Sequence, residues 1–129
     1  MTGQEAERPK TILVVEDNVL NMKLWNEILE AQGYQLFKTA LGLEAVGIAR
    51  QSHPDLILLD IQLPDVSGFD VAQRLKADDV TRSIPIVAVT AFARSEDEQR
   101  ALASGCDGYI SKPVSIIEFL RKIETFLTR

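Results

Sequence analysis

Cysteine is nearly absent from this chain. Its 129 residues include one, Cys106, so no internal disulfide can form, as suits a reducing compartment. Histidine is as scarce: His53 stands alone beside Pro54, with no second His or Cys to complete a soft-metal site. Long apolar runs are missing too. The longest, such as Ile12–Val15 and Leu56–Leu59, are four residues, against about 20 for a helix that spans a bilayer. Residues 1–10 are polar where a secretory signal would be apolar, so no membrane association and a cytoplasmic location are expected. Positive charge is in deficit, with a net charge of −5, a pI near 4.9 and no block of Lys and Arg, which argues against DNA or RNA as a partner. Neither G-x-x-x-x-G-K-[ST] nor G-x-G-x-x-G occurs, which removes the usual nucleotide loops.

What is present is a core. Apolar residues make up 46% of the chain against 26% charged, enough to bury one domain and too little length for two. After a polar tail over residues 1–9, the domain is expected over 10–129. Short apolar runs alternate there with helical patterns five times, the rhythm of βα units on a mostly parallel sheet. Strands are expected at Thr11–Val15, Tyr34–Ala40, Leu56–Leu59, Ile86–Val89 and Gly108–Ser111, the first, third and fourth buried on both faces and the second less so.

Helices are expected at Asn18–Gln32, Leu43–Gln51, Phe69–Ala77, from Ser95 to before Gly105, and at Ser115–Leu127. In the first, Leu20, Leu24 and Ile28 are read as sharing one side with Met22, Trp25 and Leu29. Gly33 and Gly105 are placed where helices stop in the left-handed conformation. Ser95 with Glu98 and Ser115 with Glu118 form capping boxes. The last helix has an apolar face wider than one sheet contact needs: Ile116, Leu120, Ile123 and Leu127, with Ile117, Phe119 and Phe126 beside them. Cys106 reads as a packing residue and His53 as a surface one.

In an open parallel sheet, function sits beyond the carboxyl ends of the strands. Here those ends carry Glu16-Asp17, Asp60, Thr90 and Lys112. Singly each has an ordinary role; Asp17 and Thr90 could cap helices and Lys112 could be a solvated loop residue. Together, three carboxylates repel one another unless a cation sits among them. Mg²⁺ (or Mn²⁺) suits such a set, being a hard ion that also gathers phosphate oxygens. With Mg²⁺ and Lys112 the formal charges of Glu16, Asp17 and Asp60 cancel. These are the parts of a phosphoryl-transfer site, with Asp60, at the end of a very apolar central strand, as the candidate nucleophile. A haloacid-dehalogenase-type phosphatase would need a second Asp where Gln62 stands. An FMN carrier would place phosphate-cradling groups where Glu16-Asp17-Asn18 would repel phosphate.

The chain resembles the response-regulator receiver domains of two-component signalling. Val15-Glu-Asp-Asn18, Pro54-Asp-Leu-Ile-Leu-Leu-Asp60, Leu63-Pro64, Ser67-Gly68, Val89-Thr-Ala91 and Tyr109-Ile-Ser-Lys-Pro113 fall in order at that family's spacing. Within it, Asn21-Met-Lys-Leu24, Glu30-Ala-Gln-Gly-Tyr34, Asp60-Ile-Gln-Leu-Pro64 and Tyr109-Ile-Ser-Lys-Pro-Val114 are similar to stand-alone DivK-type regulators of cell division and polarity. The resemblance implies a flavodoxin-like (βα)5 doubly wound sheet of order 2-1-3-4-5. It implies a phospho-acceptor signalling protein rather than an enzyme, with Asp60 taking a phosphoryl group from a phosphohistidine. Asp17, Asp60 and the Gln62 backbone carbonyl would hold Mg²⁺, with Glu16 acting through water. Lys112 would pair with the phosphoryl group, aimed by a cis bond to Pro113. Thr90 and Tyr109 resemble the family's switch pair, and the face of the fourth helix, fifth strand and fifth helix would change.

The fourth helix offers only Ala101, Leu102 and Ala103 as apolar anchors, as a movable element should. With no room for an output domain, output would be a protein contact. The implied partners are histidine kinases, histidine phosphotransferases or kinase/phosphatases, and the chain itself would be a monomer or a weak phosphorylation-dependent dimer. An intermediate phosphorelay carrier, or a receiver of the hybrid-kinase type, with no switch output, is the alternative.

Overall fold

The computed structural model describes residues 9–90, 95–111 and 115–128, the side chains of Thr90 and Ser95 excepted. Of the expected polar tail, all but Pro9 lies outside these residues. Five strands alternate with five helices: β1 Thr11–Val15, α1 Val19–Ala31, β2 Gln35–Thr39, α2 Gly42–Ser52, β3 Leu56–Asp60, α3 Gly68–Ala77, β4 Ile86–Thr90, α4 Ser95–Ala103, β5 Gly108–Ser111 and α5 Ile116–Leu127. All strand pairs are parallel and the order is β2-β1-β3-β4-β5, as expected.

Side chains alternate across the sheet and so divide the core in two. Leu13, Val15, Ile57, Leu59, Ile86 and Ala88 face one way, onto α2, α3 and Ala101 of α4. Ile12, Val14, Leu56, Leu58, Val87 and Val89 face the other, onto α1 and α5. β1 and β3 need apolar residues at nearly every position because both their faces are covered. β2, at the edge, is largely exposed.

Helix ends follow local chemistry. At Gly33 (φ +90°) and Gly105 (φ +105°) the chain turns left-handed. Paired bonds, Gly33 N–H to Glu30 and Tyr34 N–H to Leu29, then Gly105 N–H to Leu102 and Cys106 N–H to Ala101, make both Schellman ends. Ser115 caps α5 by accepting from the Glu118 N–H, as the box requires. α4 begins at Ser95 itself, so whatever caps it lies outside the described residues. Cys106 is buried, its thiol pushed up to about 12, chiefly by that burial, and His53 is exposed.

Two expected faces need correction. In α1 the buried residues are Trp25 and Leu29, with Met22 and Ile28 partly covered, while Leu20 is 76% exposed and Leu24 is also open. At about 100° per residue Leu20 points some 140° away from Trp25, so the four-residue spacing from Leu20 drifts off the core. In α5 the stripe that packs is Phe119, Ile123 and Leu127, with Leu120 and Phe126 at its margin. Ile116 and Ile117 are exposed in the first turn. The wide apolar face therefore divides into a packed part and an open tip.

Candidate functional site

Because every connection is a βα unit, α1 and α5 begin at the edge where the strands end. The strand order reverses between β1 and β3, and the Val15–Leu59 register brings the next residues, Glu16 and Asp60, side by side. Oxygens of Glu16, Asp17 and Asp60 all lie within 4.8 Å of one another. Oxygens around an octahedral Mg²⁺ are at most roughly 4.2 Å apart, so the cluster has about the size of one hard-ion shell. Its donors are all carboxylate oxygens, which fits Mg²⁺ and gives a soft metal nothing it prefers.

Glu16 is 2% exposed and Asp60 7%, and each is held by backbone. The Glu16 N–H donates to the Thr39 carbonyl (3.0 Å). Its carboxylate accepts from the Asn18 N–H at Oε2 (3.1 Å) and the Trp25 indole N–H at Oε1 (3.4 Å). Asp60 Oδ1 accepts from the Gln62 N–H (3.0 Å), which places the Gln62 backbone beside the expected nucleophile. Asp17 is exposed. The helix cap for which it was an alternative is Asn18, whose side chain accepts from the Asn21 N–H.

The loop after Asp60 closes on itself through Gly68 N–H to Ile61 O (2.8 Å) and the Gln62–Ser67 bridge. A Cβ at Gly68 would collide with the Asp60 carbonyl and lie 2.6 Å from Ile61 Cα, so only glycine lets α3 start this close to β3. Asp65 anchors the outside of the loop. Its carboxylate accepts from the Gly42 and Leu43 N–H groups (2.9 and 2.8 Å), capping α2 across 23 residues where Leu41 has no side-chain cap to offer. These bonds, Leu43's first, hold the Asp65 carboxyl below its usual range.

Thr90 ends β4 opposite Ser111, but its side chain, Lys112 and Pro113 with the expected cis bond lie outside the described residues. Tyr109 is half-buried against the face that carries Ala101 of α4, and its carbonyl accepts from Lys122 Nζ (3.1 Å). Of the three apolar anchors of α4, Ala101 is buried while Leu102 and Ala103 are exposed. The Arg100 guanidinium lies over the Phe69 ring (4.3 Å).

Trp25 and Asp65 did not stand out from the sequence as part of this region. Trp25 reads as an ordinary core residue on its helix. Asp65 had one available signal, a neighbouring helix start without a local cap.

The response regulator receiver domain family model matches residues 12–124. The chain is 53% identical over 119 residues to the polar-differentiation response regulator DivK of Brucella anthropi, covering 92% of this chain and 97% of that protein. Among solved structures, a putative response regulator from Chloroflexus aurantiacus superposes with a TM-score of 0.91 at 25% identity, over 95% of this chain and all of that one. The receiver domain of the sensor histidine kinase PA1611 from Pseudomonas aeruginosa, with a magnesium ion in its active-site cleft, gives 0.88 at 31% identity over the same shares.

Proposed function

Because the chain belongs to the response regulator receiver family, we propose that Asp60 is its phospho-acceptor, in a Mg²⁺-dependent reaction with a phosphohistidine of a histidine kinase or phosphotransferase. The observation that carries this is the convergence of the Glu16, Asp17 and Asp60 oxygens within 4.8 Å at the point where the strand order reverses. An Asp60 carboxylate oxygen bonds to phosphorus as the P–N bond breaks, and the electron pair leaves on the imidazole, giving an acyl phosphate. Asp17, Asp60 and the Gln62 carbonyl would hold Mg²⁺, with Glu16 acting through water, and the ion would supply neutralisation of charge on the phosphoryl oxygens.

The chain's own contribution is position. The Gln62 N–H donates to Oδ1 of Asp60 and orients its carboxylate. In this reading Lys112 neutralises a phosphoryl oxygen, Thr90 bonds another, and Tyr109 follows Thr90 inward.

The surroundings suit a protein donor. Val19 and Leu20 at the start of α1, and Ile116 and Ile117 at the start of α5, are all more than half exposed on the edge where the carboxylates lie. They offer apolar contact around a charged centre. The name of the Brucella relative, polar differentiation, supports an output in cell polarity and division, delivered by contacts that phosphorylation changes. A carrier without a switch surface is the less favoured reading, because α4 is anchored so thinly beside Tyr109.

Incubation with acetyl phosphate and Mg²⁺ should yield an acid-stable, base-labile phosphate on the wild type and none on Asp60→Asn. Equal labelling of the Asn variant would remove Asp60 from the role.

A further inference from the structure

Trp25 is the sole tryptophan of the chain, and it is spent on the site. The ring is 5% exposed and stacks on Phe119 of α5 with centroids 4.7 Å apart and planes 19° from parallel. A buried indole N–H needs an acceptor, and Nε1 finds Glu16 Oε1 at 3.4 Å. Glu16, at 2% exposure, needs donors in turn, since a buried carboxylate without them is costly.

Glutamate also has one more free torsion than aspartate, so a Glu at this place reaches further and is harder to fix. Its two oxygens are held from two directions. The Asn18 N–H approaches Oε2 from the turn after β1. Trp25 approaches Oε1 from the second turn of α1, with its ring clamped by a Phe119 that is itself buried. Held at both oxygens, the carboxylate is fixed in orientation.

We infer that Trp25 is a positioning residue for the cation site, acting through Glu16: its indole N–H fixes the carboxylate toward Asp17 and Asp60. The inference rests on the reading of those three residues as a Mg²⁺ site. It separates the N–H of Trp25 from its bulk, because Phe in its place keeps a ring against Phe119 and removes the donor.

The test uses Mg²⁺ alone, without phosphodonor, and reads amide and indole N–H resonances by NMR, with calorimetry for affinity. In the wild type the single indole resonance should shift saturably, with the same midpoint as the Glu16 and Asp60 amides. Trp25→Phe and Trp25→Leu should both bind Mg²⁺ about fivefold more weakly, although only the Leu variant also loses the stack. Wild-type affinity in Trp25→Phe would overturn the inference and leave Trp25 a packing residue. So would an indole resonance that stays still while the two amides move, a readout that needs no variant to fold. If no wild-type resonance responds to Mg²⁺, the cation-site reading itself falls, and the inference with it.

Discussion

Two groups of acidic residues, one at each edge of the sheet, are handled in opposite ways. At the amino edge Asp55, Asp78 and Asp107 each have donors of their own. Asp55 accepts from the backbone N–H and hydroxyl of Thr11. Asp107 accepts from the Ile86 N–H and from Lys76 Nζ, and Lys76 also donates to the carbonyls of Arg82 and Ile84. Asp78 takes the Val80 N–H and Arg50, which hold its carboxyl below the usual range.

At the carboxyl edge Glu16, Asp17 and Asp60 are instead turned toward one another. Their orientation is fixed by backbone N–H groups and one indole. Charge is balanced where the fold is tied together and concentrated where a cation and a phosphoryl group are to arrive. Paired carboxylates contribute stability, whereas carboxylates brought together raise one another's energy and gain from a bound cation.

The largest expected effect that would break this contrast lies at the paired edge. Lys76→Met removes three bonds at once and leaves two carbonyls and a partly buried carboxylate short of a donor. A loss of about 2–3 kcal/mol is expected in urea unfolding, with Mg²⁺ affinity unchanged. A change in Mg²⁺ affinity would mean the two edges are not independent.

A smaller effect, with a pH signature, is expected at Asp65. Its carboxyl is held below the ordinary 3.8, first by the Leu43 N–H. The unfolded chain therefore takes up that proton more readily than the folded one. The stability the ionised group contributes is fully present above the unfolded value and is lost as pH falls through the lowered folded value. Asp65→Asn should lower the urea midpoint at pH 7, and its deficit should shrink below pH 3.8. A deficit that stays constant with pH would show that charge plays no part in capping α2.

The sheet was legible because its signals are local. Ile12–Val15 and Ile86–Val89 are apolar at every position, which only strands covered on both faces require, and Gly33 and Gly105 mark helix ends that a backbone conformation demands. The cluster followed from topology, which carries strand-end residues to one edge. What was not legible depends on partners distant in sequence. The tie of Lys76 to Asp107 spans 31 residues and that of Asp65 to Gly42 spans 23. Nothing in the spacing of α1 shows that Trp25 turns its N–H to Glu16. Leu20 misled for a physical reason: its position beside the site leaves it no sheet to cover, and four-residue spacing alone does not fix which side of a helix is buried.

Thermal unfolding of the wild type and Asp60→Asn, each with and without Mg²⁺, tests most directly the claim that the converging carboxylates form a cation site. The account predicts that without Mg²⁺ the Asn variant melts higher than the wild type, because one of three converging charges is gone. Saturating Mg²⁺ should raise the wild type alone, by about 2.7 kcal/mol of added stability at a hundredfold excess over its dissociation constant. Equal melting temperatures without the ion, and equal rises with it, would contradict the account.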